Sequence, residues 1–283
     1  MPTISTLTLY PIKSCAGISL QTAIVSTSGL SHNNVHDREW MLVDSDGLFV
    51  TQRSHPLMAL IVPHLQASGL IVQAPGMAPL EISTAPLTAG LTPAIAVTIW
   101  DDRLDAHDCG DEAGRWFSQV LGQPCRLVRF DPAVKRLASK KWTDDADVPT
   151  RFPDGFPILV ISQGSLDDLN QKLQAQGRAA VPMNRYRPNI VIDGVDAFEE
   201  DFAATIEAGP LRLQLVKPCT RCPMPSVDQA TGEFGPDPMD ILQTYRSNPR
   251  VDGAPTFGVN AILQDGAGEI LRVGQEITLE LDF

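Results

Sequence analysis

The chain has 283 residues, 43% of them hydrophobic and 20% charged, with a formal net charge of −12. That length and apolar content are enough for one large or two ordinary domains with a real core, and they exclude a disordered chain. The acidic balance argues against nucleic-acid binding and against an anionic membrane surface, both of which require an excess of lysine and arginine.

The N-terminal "MPTISTLTLYPIKSC" has no charged segment leading into an apolar one and no arginine-rich transit pattern. It enters a strand directly, and no apolar run approaches the ~18 residues of a membrane span. The expectation is a cytoplasmic protein with reduced thiols and no membrane partner. "EWMLVDSDGLFVTQ", Glu39 to Gln52, predicts a hairpin around Asp44-Ser45-Asp46-Gly47. "GLIVQAP" and "AIAVTIW" read as strands between Pro/Gly-rich loops. "DEAGRWFSQVLG" is an amphipathic helix, acidic in its first turn and closed by Gly122. "CRLVRF" is a strand, and the polar "DPAVKRLASKKWTDDADVPTRFPDG" is a loop long enough to be functional.

"FPILVIS", Phe156 to Ser162, predicts a buried strand, and "SLDDLNQKLQAQG" a helix with Ser165 as N-cap and Asp168 at the third helical position. "NIVIDG" and "LRLQLVKPC" are strands, "DPMDILQTYRS" a short helix, and "GVNAIL" and "ITLELDF" the closing strands. Strands dominate and no βαβ alternation is sustained. The fold class is α+β, β-rich and barrel-like.

Five cysteines are present, and "LVKPCTRCPMP" places Cys219 and Cys222 in a Cys-x-x-Cys spacing. A structural zinc site wants a second ligand pair, and no second Cys-x-x-Cys or spaced histidine pair exists. A thioredoxin-type disulfide wants a helix start after the pair, and "PMP" is poor helix-starting chemistry. Two inert buried thiols are a third reading. In a fourth, one thiolate holds a metal whose other ligands come from a cofactor, with Arg221 lowering the thiol pKa. A phosphate-bearing cofactor would need converging cations, for which Lys13 beside Ser14, Arg38, Arg185, Arg187 and Arg221 are candidates.

The motifs "LYPIKSCAG", "DREWMLVD", "FPDGFPILVISQGSLDDLN", "NRYRPNIVIDG", "CTRCPMPSVDQATGE" and "FGVN" follow one another in an order that resembles the MOSC (molybdenum cofactor sulfurase C-terminal) proteins. The resemblance spans almost the whole chain. It is to the group that pairs an N-terminal MOSC β-barrel domain with a MOSC domain, as in the mitochondrial amidoxime-reducing components and their YcbX-type bacterial relatives. It implies an N-terminal domain over 1–130 and a MOSC domain over 131–283, with the first strand and Arg38 reaching a shared cleft.

The resemblance further implies a molybdenum–molybdopterin cofactor, with Cys222 as the metal ligand and Cys219 as a neighbour. Pterin-phosphate contacts fall on Lys13, Ser14, Arg38, Arg187, Asn189 and Arg221. Backbone near Asp154 and Phe156, and the position of Asn260, line the site. A family aspartate close to the metal falls on Asp196, expected to move a proton, although "DGVDAFEED" is also ordinary turn chemistry. The implied activity is reduction of amidoximes, hydroxylamines and N-hydroxylated nucleobases. With no Cys-x₄-Cys-x₂-Cys run in the chain, electrons would come from a separate flavoprotein, ferredoxin or cytochrome b5-like donor. A non-catalytic cofactor carrier or cofactor-sulfur handling protein would use the same Cys222.

Overall fold

A computed structural model describes residues 1–66, 69–86, 94–235 and 237–282. The protein is strand-rich α+β, as expected, with three α-helices among the described residues. Its largest sheet has eight strands, in the order Thr278–Leu281, Ala203–Ala208, Leu211–Thr220, Thr256–Asp265, Ile158–Ser162, Ile190–Asp193, Thr3–Leu9 and Ile18–Leu20. Ile158–Ser162 and Ile190–Asp193 pair in parallel, joined through helix α2 (Gln163–Ala175), and the other neighbours pair antiparallel.

The two halves of the chain exchange strands. The N-terminal Thr3–Leu9 lies against Ile190–Asp193, with Leu7 facing Ile190. In return Ile270–Arg272 joins the small sheet of Thr22–Ser26, Gly29–His32 and Val35–His36. Two further sheets come from the first half. Ala94–Ile99, Asp102–Asp108, Arg126–Phe130 and Trp40–Val43 form one, and Val62–Gln66, Gly69–Gln73 and Leu80–Ser83 the other. One apolar core runs through both halves, from Leu7 and Trp40 to Val160, Leu213 and Val259. The two halves are therefore joined by hydrogen-bonded strands in both directions.

Most predicted elements appear where the patterns place them. Helix α1 (Asp111–Leu121) is closed by Gly122 at φ +69°, a left-handed cap that glycine adopts without steric cost. The hairpin from Glu39 turns where Asp44 accepts from the Asp46 and Leu48 amides, but its return arm is only the bridges Val43–Phe49 and Leu48–Thr98. The polar stretch after Phe130 is folded down by a bridge from Leu137 to Pro149 and a short 3₁₀ turn at Lys140–Trp142.

The N-cap of α2 is Ser162, not Ser165. Ser162 Oγ accepts from the Ser165 amide at 3.0 Å, which puts Ser165 inside the first turn. The Ser165 hydroxyl instead donates to Glu200 at 2.7 Å and accepts from the Phe198 amide at 2.8 Å. Tertiary pairing with a buried carboxylate decides between two serines that local pattern cannot separate.

Candidate functional site

A cleft of about 550 Å³ opens between the halves. Its first wall is built from "LYPIKS" stitched to "HDREW". The Arg38 amide donates to Tyr10 O, Trp40 N to Pro11 O, and Lys13 N to Trp40 O. This ladder turns Lys13, Ser14 and Arg38 into the cleft. Ser14 and Arg38 have φ of +66° and +47°, and across the cleft Arg187 has +56°. A left-handed conformation costs a non-glycine residue about 1–2 kcal/mol, and its recurrence at four residues of one cleft, Trp100 with φ +54° included, marks the cleft as a candidate functional site.

Arg187 is 6% exposed, and its guanidinium lies 4.2 Å from the centre of the Tyr10 ring. The Arg38 guanidinium lies 4.4 Å from the same ring. Burial lowers the Arg187 pKa to about 10. Its Nη2, and the buried hydroxyl of Ser14, have no hydrogen-bond partner among the described residues. Buried donors of this kind are expensive unless a ligand satisfies them.

Asn189 is fully committed as a brace. Its Oδ1 accepts from Arg38 Nη1 at 3.2 Å and from the Leu159 amide at 3.1 Å, and its Nδ2 donates to Asp37 at 2.9 Å. Arg38 also bonds Asp37 at 2.5 Å. Burial pushes the Asp37 carboxyl up against that arginine's pull. Arg221 donates to the carbonyls of Phe257 and Tyr186, so it ties the cleft wall together and keeps only part of its fork for a ligand. Asn260 donates to Lys217 O at 3.1 Å.

Lys13 is 5% exposed; its ammonium donates to Phe152 O at 2.9 Å and to Asp154 Oδ1 at 2.5 Å. Burial lowers the Lys13 pKa to about 8, against the field of Asp154. For Asp154, desolvation is outweighed by Lys13 and by a Trp100 hydrogen bond, which together hold the carboxyl well below its usual range.

The opposite wall is the end of strand Leu211–Thr220. Pro218 cannot donate to the ladder, and the pairing with Thr256–Asp265 slips between Pro218 and Thr220. The strand stops before Pro223, leaving Cys222 half-buried in the cleft just ahead of the Met224–Ser226 turn. Cys219, also half-buried, lines the same wall, and desolvation pushes its thiol up. No cysteine is bridged. Cys15 is buried, with its thiol pushed by burial up to about 12. Among the described residues no group of three or more His, Cys, Asp or Glu side chains is arranged to hold a metal ion.

The structure thus gathers Lys13, Ser14, Arg38, Asp154, Phe156, Arg187, Asn189, Arg221, Cys222 and Asn260 around one cleft. Asp196 does not join them. It sits exposed in the turn before the Glu199–Asp201 3₁₀ segment, its amide bonded to Glu199, and is not part of the cleft wall. Arg185 lines the cleft but is paired with Asp228 at 2.8 Å. Pattern reading missed Arg136, Lys217 and Trp100 as cleft residues. For Arg136 the signal was the length of the polar stretch that carries it. Trp100 carried one too, an aromatic at the end of a strand followed by two aspartates.

Two half-buried thiols, several buried cations and two unsatisfied donors thus meet in one cleft. The sequence profile of the MOSC N-terminal beta barrel domain matches residues 1–124, and that of the MOSC domain matches 147–278. The chain is 35% identical over 266 residues to the bovine protein named mitochondrial amidoxime reducing component 2, covering 91% of this chain and 77% of that one. It is 34% identical over 296 residues to the rat protein of the same name, covering 99% and 84%. To bovine molybdenum cofactor sulfurase it is 32% identical over 86% of this chain but only 29% of that longer protein. The chain belongs to the MOSC family, with both a MOSC N-terminal and a MOSC domain. No helix among the described residues is long and apolar enough to cross a membrane.

Proposed function

We propose that the protein is a molybdenum-cofactor oxidoreductase that reduces N-hydroxylated compounds to the N–H form. The observation that carries this reading is the meeting of Cys222 with Lys13, Arg38, Arg187 and the unpartnered Ser14 hydroxyl in one cleft. A soft thiolate suits a thiophilic metal, and the buried cations suit a phosphate. The names of the amidoxime-reducing relatives supply the substrate class.

Cys222 would hold the metal. Lys13, Ser14, Arg38 and Arg187 would hold the pterin phosphate, with Asn189 keeping Arg38 aimed and Arg221 and Asn260 fixing the far wall. When bound, the cofactor supplies two-electron redox chemistry, and the net change is R–NHOH + 2e⁻ + 2H⁺ → R–NH₂ + H₂O. With Asp196 outside the cleft, the carboxylates that line it are Asp101, Asp102 and Asp154. Electrons would come from a separate flavoprotein, ferredoxin or cytochrome b5-like partner.

The test is turnover by purified protein loaded with molybdenum and pterin. It should convert benzamidoxime to benzamidine with reduced viologen or a reductase system, and should not oxidise NADH alone. Full cofactor loading without turnover would overturn the enzyme reading in favour of a cofactor carrier.

A further inference from the structure

Trp100 is out of character with its position. It begins the two-residue turn between strands Ala94–Ile99 and Asp102–Asp108, where Ile99 faces Asp102. Its φ is +54°, a conformation that such turns ordinarily give to Gly, Asn or Asp. Its ring is also 44% exposed although it lines the cleft. An indole left open this way forgoes burial that a core position would reward.

The ring is nevertheless fixed. Its Nε1–H donates to Asp154 Oδ1 at 3.1 Å, the Phe49 ring centre lies 5.1 Å away, and the Arg53 guanidinium sits 4.4 Å from the indole centre. A rigid aromatic surface loses little freedom when a second ring stacks on it. Asp101, next in the turn, lines the same cleft.

We propose that Trp100 is a specificity-determining residue, a stacking platform for a flat aromatic or heteroaromatic group carried by the substrate. This rests on the function proposed above and narrows it: aryl N-hydroxylated compounds are preferred over aliphatic ones.

Calorimetric titration of the cofactor-loaded protein with benzamidine and with acetamidine tests the platform without turnover. Wild type should bind benzamidine more tightly. Trp100→Ala should narrow the difference by about three- to tenfold, the size of a ring-stacking contribution. Trp100→Phe should keep most of it, because the ring survives although the bond to Asp154 is lost. A purely structural role through Asp154 requires Phe to be as poor as Ala, and that result overturns the proposal. So does a wild type with no preference between the two amidines, or an unchanged preference in Trp100→Ala. In turnover, the benzamidoxime-to-acetamidoxime ratio of kcat/KM should fall in Trp100→Ala, through KM. If the wild type reduces neither compound, the proposed function fails, while the titration still decides the platform.

Discussion

Arg187 stacks on Tyr10, its guanidinium 4.2 Å from the ring centre, and Arg38 lies over the same ring at 4.4 Å. Two like charges share one aromatic because the ring attracts both and because Arg38 is anchored elsewhere. Arg38 is bonded to Asp37, Asn189 and the Arg187 carbonyl. The arrangement concentrates positive charge in one cleft of an otherwise acidic protein, and it leaves Arg187 Nη2 unsatisfied. Such an arrangement suits the anion of the proposed cofactor.

Arg187→Ala should therefore lower bound pterin and molybdenum together, with little change in far-ultraviolet circular dichroism. Arg187→Lys should recover only part of the loss, since an ammonium cannot reproduce a planar fork stacked on a ring. Wild-type cofactor content in both variants would remove Arg187 from the phosphate clamp.

Cys222 and Cys219 share a wall but not an environment. Burial raises the Cys219 thiol, and its side chain packs with the Phe257 and Tyr186 cluster. Cys222→Ala should abolish turnover and change the metal's X-ray absorption, with one sulfur neighbour lost. Cys219→Ala should keep bound molybdenum near the wild-type level. Equal loss of metal in both would restore a two-thiol site.

The strand-rich character and the three helices were legible because periodicity is a local property of the chain, and ten of the eleven positions that the family resemblance implied line one cleft. Asp196, which the resemblance put close to the metal, does not line that cleft. A carboxylate in a Gly-Val-Asp turn carries no local sign of which way the turn faces, and here it faces solvent. Asn189 and Arg221 were legible as positions but not as roles. Only the folded partners show that both spend their hydrogen bonds bracing the wall. The strand exchange was beyond pattern reading altogether, since nothing in "TISTLTL" names Ile190–Asp193 as its partner.

Ser162 offers a stability test separate from the cofactor. Its hydroxyl caps α2, and its amide donates to the buried Glu200 at 3.0 Å. Ser162→Ala removes the cap but not the amide bond, and should cost about 1–2 kcal/mol in chemical denaturation. Cofactor content of the folded fraction should not change. A variant as stable as wild type would show that the Ser165 amide finds another acceptor.

Lys13 makes the clamp sensitive to alkaline pH. Burial brings its folded pKa down from 10.5 to about 8, so the amine is charged below that value and progressively neutral above it. Two consequences have opposite signs. For folding, the unfolded chain holds the proton more tightly between about 8 and 10.5, so the Lys13 contribution to stability rises with pH through that window. For anion binding, the charge that attracts phosphate is lost over the same range, so affinity falls as pH rises past about 8. A bound phosphate favours the charged form and should move the midpoint upward. Inorganic phosphate binding to cofactor-free protein should thus weaken from pH 7 to pH 9.5, while denaturant stability of that protein does not fall with it. Lys13→Arg, with a guanidinium that stays charged across this range, should flatten the binding profile. Phosphate affinity that is independent of pH in the wild type would show that Arg38 and Arg187 hold the anion without Lys13.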